Sequence, residues 1–182
     1  METLTVRRVI AAPIEDVFDW CATTTTTNYT RSPLILRARL ARPGAGAPYG
    51  VGAVRVHTWA IGWFRERVTT YDRPHGFDYT VERSLPPSRH ELGRMTFTEV
   101  AGGTEVAWTT TFQVRLPFGA ALTRALAKPL IAHTFGRILA AADADADLTG
   151  GRRAAGRVTV GAARGRGGGR TPATSPGRPR PA

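Results

Sequence analysis

Apolar and polar residues alternate along much of this chain with a period of two, the pattern of strands that bury one face. The opening TLTVRRVIAAP shows it and stops at Pro13. In PIEDVFDWC the period changes: Ile14, Val17 and Phe18 form a helical stripe, with Pro13 suited to a first turn and Glu15 and Asp16 near its positive end. TTTTTNYTRSP favours neither a long helix nor a packed strand and reads as a loop with room for one helical turn. Strand patterns then resume. LILRARLARPG sets Leu34, Leu36, Ala38 and Leu40 against Arg37 and Arg39, and VGAVRVHTWAIGWFRERVTTYDRP reads as a hairpin turning near Ala60 to Gly62. HGFDYTVERSLPP puts Phe77, Tyr79 and Val81 on one face and Asp78, Thr80 and Glu82 on the other. HELGRMTFTEVAGGTEVAWTTTFQV is a second hairpin turning at Ala101-Gly102-Gly103, with Val106, Trp108, Thr110 and Phe112 aligned on its second arm.

After Leu116-Pro117, Leu122, Leu126, Leu130, Phe135, Ile138 and Leu139 recur at helical spacing, and Pro129 should kink that helix or mark a joint. The order predicts an α+β fold. A curved antiparallel sheet of about seven strands wraps one long C-terminal helix, with short helices after the first strand.

Composition divides the 182 residues at about Leu148. From Thr149 to Ala182 there are eight arginines and no acidic residue, so this stretch carries +8 of the formal +11. Its Gly, Pro and Arg cannot bury enough surface to offset chain entropy, which predicts a folded domain over 1–148 and a disordered basic tail over 149–182. Cys21 is the single cysteine, which excludes an internal disulfide and a thiolate metal cluster. No apolar run reaches the roughly 18 residues of a membrane span, and a cytoplasmic protein is expected. No metal, phosphate or nucleotide motif appears, so no cofactor is expected; the glycines of RGRGGGR follow no strand and open no helix.

The segments VRRVIAAPIEDVFDW, YGVGAVRVHTW, FRERVTTYDRPHGFDYTV and GGTEVAWTTTFQV, ahead of one long helix, resemble the SRPBCC superfamily. This is the START-like or helix-grip fold, and the likeness is to its polyketide cyclase/dehydrase-like branch. It covers about residues 3–148. The resemblance implies a deep cavity between the sheet and the long helix. Members use such cavities to bind lipids, polyketides, hormones or other hydrophobic molecules, and some catalyse cyclisation or dehydration.

Fold and parity together send Phe64, Glu66 and Val68 into that cavity, with Arg65 and Arg67 outside. Phe77, Tyr79, Val81, Met95, Phe97, Trp108, Thr110 and Phe112 line it from neighbouring strands, and Leu130 and His133 from the helix. Glu66 is the sharpest candidate, because a buried carboxylate needs a partner. Two hairpin registers are open. A four-residue loop sets Trp59 against Phe64, His57 against Glu66 and Arg55 against Val68; a three-residue loop turns Val54, Val56 and Thr58 inward instead. Glu66 and His57 are the candidate catalytic pair for an acid/base cyclisation; the other use is a buried ion pair that orients a ligand. His75 and His90, beside prolines, read as loop positions at the rim. The partner expected first is therefore a small hydrophobic or aromatic molecule. The tail has no aromatic residue to stack on bases, so specific nucleic-acid binding is not expected, only weak salt-sensitive contact with polyanions.

Overall fold

Pro13 ends the first strand and opens a helix whose buried side, Ile14, Val17, Phe18, Cys21 and Ala22, is the stripe the sequence predicts. The computed structural model describes residues 1–23, 26–29 and 33–158, with backbone alone at 26, 27 and 147–158. The elements in chain order are β1 Glu2–Ile10, α1 Ile14–Ala22, α2 Thr26–Tyr29, β2 Ile35–Arg42, β3 Val54–Trp59, β4 Gly62–Asp72, β5 Gly76–Leu85, β6 Ser88–Val100, β7 Gly103–Val114, α3 Gly119–Leu122 and α4 Lys128–Val158. Among the described residues seven strands form one antiparallel sheet in the order β1-β7-β6-β5-β4-β3-β2. Each strand from β2 to β7 pairs with its successor, and β1 closes on β7.

Alternation explains the two faces. On the outer face Thr3 meets Thr111 and Thr5 meets Thr109 through hydroxyl pairs at 2.9 Å. On the inner face Phe77, Tyr79, Met95, Phe97, Val106, Trp108 and Phe112 are buried against Phe135, Ile138, Leu139 and Ala142 of α4. Phe18 of α1 packs edge-on to Tyr71, Phe77 and Phe97. Arg8 holds Asp143, and the Trp20 indole donates to Asp145 at 3.0 Å, tying β1 and α1 to α4.

Three irregularities change what the period alone predicts. A bulge between Ile35 and Arg37 flips β2, so Ile35 and Ala38 are buried and Leu36 is 63% exposed. A π-helical turn at Thr123–Ala127 joins α3 to α4. It adds a residue to the turn and shifts the phase of the apolar stripe, so Leu126 faces solvent at 59% exposure. Pro129 lies just past the π turn, within the continuous run of helix from Gly119. Helix α4 runs to Val158, past the expected boundary at Leu148; the rest of the tail expected to be disordered, 159–182, lies outside the described residues.

Candidate functional site

The β3–β4 turn contains only Ala60 and Ile61, shorter than either predicted loop. Its register sets Trp59 against Gly62, His57 against Phe64 and Arg55 against Glu66. The parity is that of the four-residue reading, so Arg55, His57 and Trp59 all point inward. The residue directly opposite Glu66 is Arg55, not His57.

Both nevertheless reach the carboxylate. Arg55 Nη2 donates to Glu66 Oε2 at 2.9 Å, and His57 Nε2 lies 3.3 Å from the same oxygen, out of line for a hydrogen bond. All three side chains are buried. Burial alone would raise the Glu66 carboxyl, but the adjacent His57 ring and Arg55 guanidinium overcome it and hold it at about 2, below the ordinary 4.5. The Arg55 guanidinium also sits 5.3 Å over the Phe77 ring and 5.0 Å over the Tyr79 ring. Arg55 Nε, both His57 ring nitrogens and Trp59 Nε1 are buried with no hydrogen-bond partner among the described residues. Such groups are rare in folded proteins, because each forfeits its hydration.

On the outer face Arg65 and Arg67 are occupied. Glu82, the extra residue of a bulge in β5, receives Nε–H donors from both, at 3.2 Å in the case of Arg65. That bulge also brings Val81 opposite Glu66.

The chamber beside Glu66 is bordered by Trp59, Phe64, Tyr79, Val81, Ser88, His90, Thr110 and Phe112 from the sheet and Ile131 and Phe135 from α4. Its volume is about 40 Å³. Small-molecule pockets begin near ~300 Å³, whereas this space takes a few waters. The deep cavity implied by the resemblance is therefore nearly filled in this state. The cause is aromatic: Trp108 and Phe135 stack with centroids 3.7 Å apart, and Trp108 Nε1 donates to the Tyr79 hydroxyl at 2.8 Å.

Of the other expected lining residues, Val68, Phe77, Met95, Phe97 and Trp108 are packed in the core and do not border the chamber. His133 is a correction: it is exposed on α4, one position from buried Thr134. Leu130 is half-buried, and its neighbour Ile131 takes the chamber position. Both lie on the uninterrupted α4 but off its inward stripe, which runs through Ile131, Thr134, Phe135, Ile138 and Leu139.

His90 is the second correction. It lies within β6, not in a loop, and borders the chamber. Its Nδ1 accepts the Val81 backbone N–H at 3.2 Å, which leaves the proton on Nε2 for Thr110 Oγ1 at 3.1 Å. Burial lowers its pKa, consistent with a neutral ring stacked 5.7 Å from Tyr79. Tyr29 of α2 was not anticipated, because it follows a threonine run with no apolar period. Its ring covers His57 at 5.7 Å and Trp108 at 6.4 Å, and its hydroxyl donates to the Cys21 carbonyl.

A larger cleft of about 460 Å³ lies between the end of β1, α1 and α4, lined by Ile10, Val17, Trp20 and Ala142 among others. None of the sequence-predicted site residues borders it. No group of three or more metal-ligating side chains occurs among the described residues, and no helix there is long and apolar enough to cross a membrane.

A sheet of this order gripping a C-terminal helix, with a charged cluster in an aromatic interior, defines the START-like class. Within it, the chain belongs to the family described as polyketide cyclase/dehydrase and lipid transport, whose model matches residues 1–146. No curated protein matches the sequence significantly. Solved structures do. TTHA0849 from Thermus thermophilus is 14% identical with a TM-score of 0.66, over 81% of this chain and 99% of that one. The Zhui aromatase/cyclase from Streptomyces sp. R1128 is 15% identical, TM-score 0.65, over 80% and 93%. A START superfamily protein from Mycobacterium smegmatis is 11% identical, TM-score 0.59, over 81% and 98%. At these identities the likeness establishes the fold.

Proposed function

We propose that the protein binds a small, mainly apolar or aromatic molecule bearing a hydrogen-bond acceptor, such as a carbonyl or carboxylate oxygen. The observation that carries this reading is a set of unpartnered buried nitrogens: Trp59 Nε1 on the wall of an aromatic chamber, and Arg55 Nε and the His57 ring nitrogens one layer away, against the chamber-lining Glu66. Arg55 Nε and Trp59 Nε1 can only donate, and His57 donates from at least one nitrogen. An acceptor oxygen on a ligand would satisfy donors that the protein leaves unmade, while Phe64, Phe112 and Phe135 take its apolar body. Binding requires the chamber to widen, and the wall that separates from the sheet is the α4 side, Ile131 and Phe135.

Family membership and the aromatase/cyclase neighbour raise chemistry as the competing reading. The electrostatics weigh against Glu66 as its base. A carboxylate held at about 2 is a poor proton acceptor at neutral pH, where a general base works best with a pKa near the operating pH. The same charge arrangement suits fixing a ligand.

Native mass spectrometry of the full-length protein from its own host is the direct test. A co-purifying molecule with a carbonyl or carboxyl group is expected, and Trp59→Phe, which keeps the ring and removes the donor, should lower its occupancy. Equal affinity of the two proteins for every acceptor-bearing aromatic tried would sink the proposal. Turnover abolished in Glu66→Gln with affinity retained would favour the enzyme reading instead.

A further inference from the structure

One end of the molecule displays apolar side chains from the end of β5, the β7–α3 connection and the π-helical turn. Phe118 is 89% exposed, Leu85 68%, Leu126 59% and Leu116 43%. The β5–β6 and β7–α3 connections are neighbours: the Arg115 amide donates to the Pro87 carbonyl at 2.8 Å. Phe118 also has φ 60° and ψ 22°, a left-handed conformation that a bulky residue adopts only at an energetic cost. The chain thus spends strain to hold an aromatic ring out in solvent.

The unpaired charge around these side chains is positive. Arg83, Arg115 and Arg124 make no ion pair among the described residues, whereas the carboxylates of Glu2, Glu82 and Glu91 are each held by a basic side chain. Arg83, Leu85 and Arg115 share one open groove. Ser88 and Ile131, at this same end, border the inner chamber.

We propose that this end docks on an anionic lipid surface, with Phe118 and Leu126 entering the headgroup–acyl boundary and Arg83, Arg115 and Arg124 meeting lipid phosphates. Cationic side chains around exposed apolar ones are the composition of an interfacial anchor. Single side chains projecting from a strand end, a connection and a helical turn suit a deformable interface; a protein partner would need a separate pocket for each. Docking here brings the chamber's mouth to the lipid, whatever molecule the chamber takes.

The test uses the full chain with a polarity-sensitive dye on Phe118→Cys. Cys21 is fully buried, with its thiol pKa pushed up by that burial, so labelling is confined to the new cysteine. Phosphatidylcholine vesicles containing phosphatidylglycerol should blue-shift the dye, and phosphatidylcholine alone should not. A dye on Val100→Cys, at the far end of β6, should stay unchanged. Phe118→Ser with Leu126→Ser should weaken vesicle binding roughly tenfold or more. Four outcomes would overturn the proposal. These are vesicle binding with no change at 118, equal shifts with neutral vesicles, a shift that grows with protein concentration alone, and a shift produced by polyglutamate without lipid. The first assigns binding to the basic tail, the third to a second copy, and the fourth to an acidic protein.

Discussion

Replacing Glu66 by Gln keeps the side chain's shape and removes its charge, leaving the Arg55 guanidinium buried without its counter-ion. Breaking a buried pair in this way costs about 3–5 kcal/mol at neutral pH. The penalty has a definite pH dependence. The Glu66 carboxyl is at about 2 when folded and at 4.5 in its ordinary state, so its contribution is present above 4.5 and lost as pH falls through the folded value. A displacement of that size is worth on the order of 3 kcal/mol. Urea unfolding of both proteins across this range checks it: the gap in stability should be widest near neutrality and should close in acid. A gap independent of pH would show that packing, not charge, is what Gln disturbs. Gly93 gives a second residue-scale prediction. A Cβ there would lie 2.3 Å from Cζ of the Tyr79 ring, so Gly93→Ala must push Tyr79 off its hydrogen bond from Trp108. A loss of about 1–3 kcal/mol is expected, read as a lower melting temperature.

Between elements, the tightest aromatic contact is Trp108 of β7 stacked on Phe135 of α4, whose ring borders the chamber. Phe135→Ala should cost about 3–5 kcal/mol and leave a larger void. Uptake of an apolar fluorescent probe should rise in the variant; unchanged uptake would mean that α4 collapses onto the sheet instead. Element scale is also where the sequence was most and least informative. Uninterrupted alternation made the inward residues of β5 and β7 legible, Phe77, Tyr79 and Val81 among them, and it put Glu66 on the inner face. The β3–β4 turn carries no Asn-Gly or Asp-Gly signal, so its length, and with it the partner opposite Glu66, could not be read from local residue preferences. Bulges and the π turn each insert one residue without a compositional mark. They exposed Leu36 and Leu126; Leu130 and His133 simply fall off the inward stripe of α4, while the prolines near His90 disguised a strand position as a loop.

For the whole molecule, charge and topology act on different parts of the chain. Residues 159–182 hold five arginines and no acid, so a chain ending at Val158 should elute from heparin at lower salt than the full chain. Identical elution would assign polyanion contact to the folded body. Topology has a temporal consequence. Strands β2 to β7 pair in sequence order, each with the one just made, but β1 pairs Glu2 with Phe112 and Ile10 with Thr104. During synthesis the first strand to emerge has no neighbour until β7 has left the ribosome, and the intervening meander can assemble without it. The amino-terminal strand is thus the last to join the sheet, and Ile10 waits without its β7 partner until then.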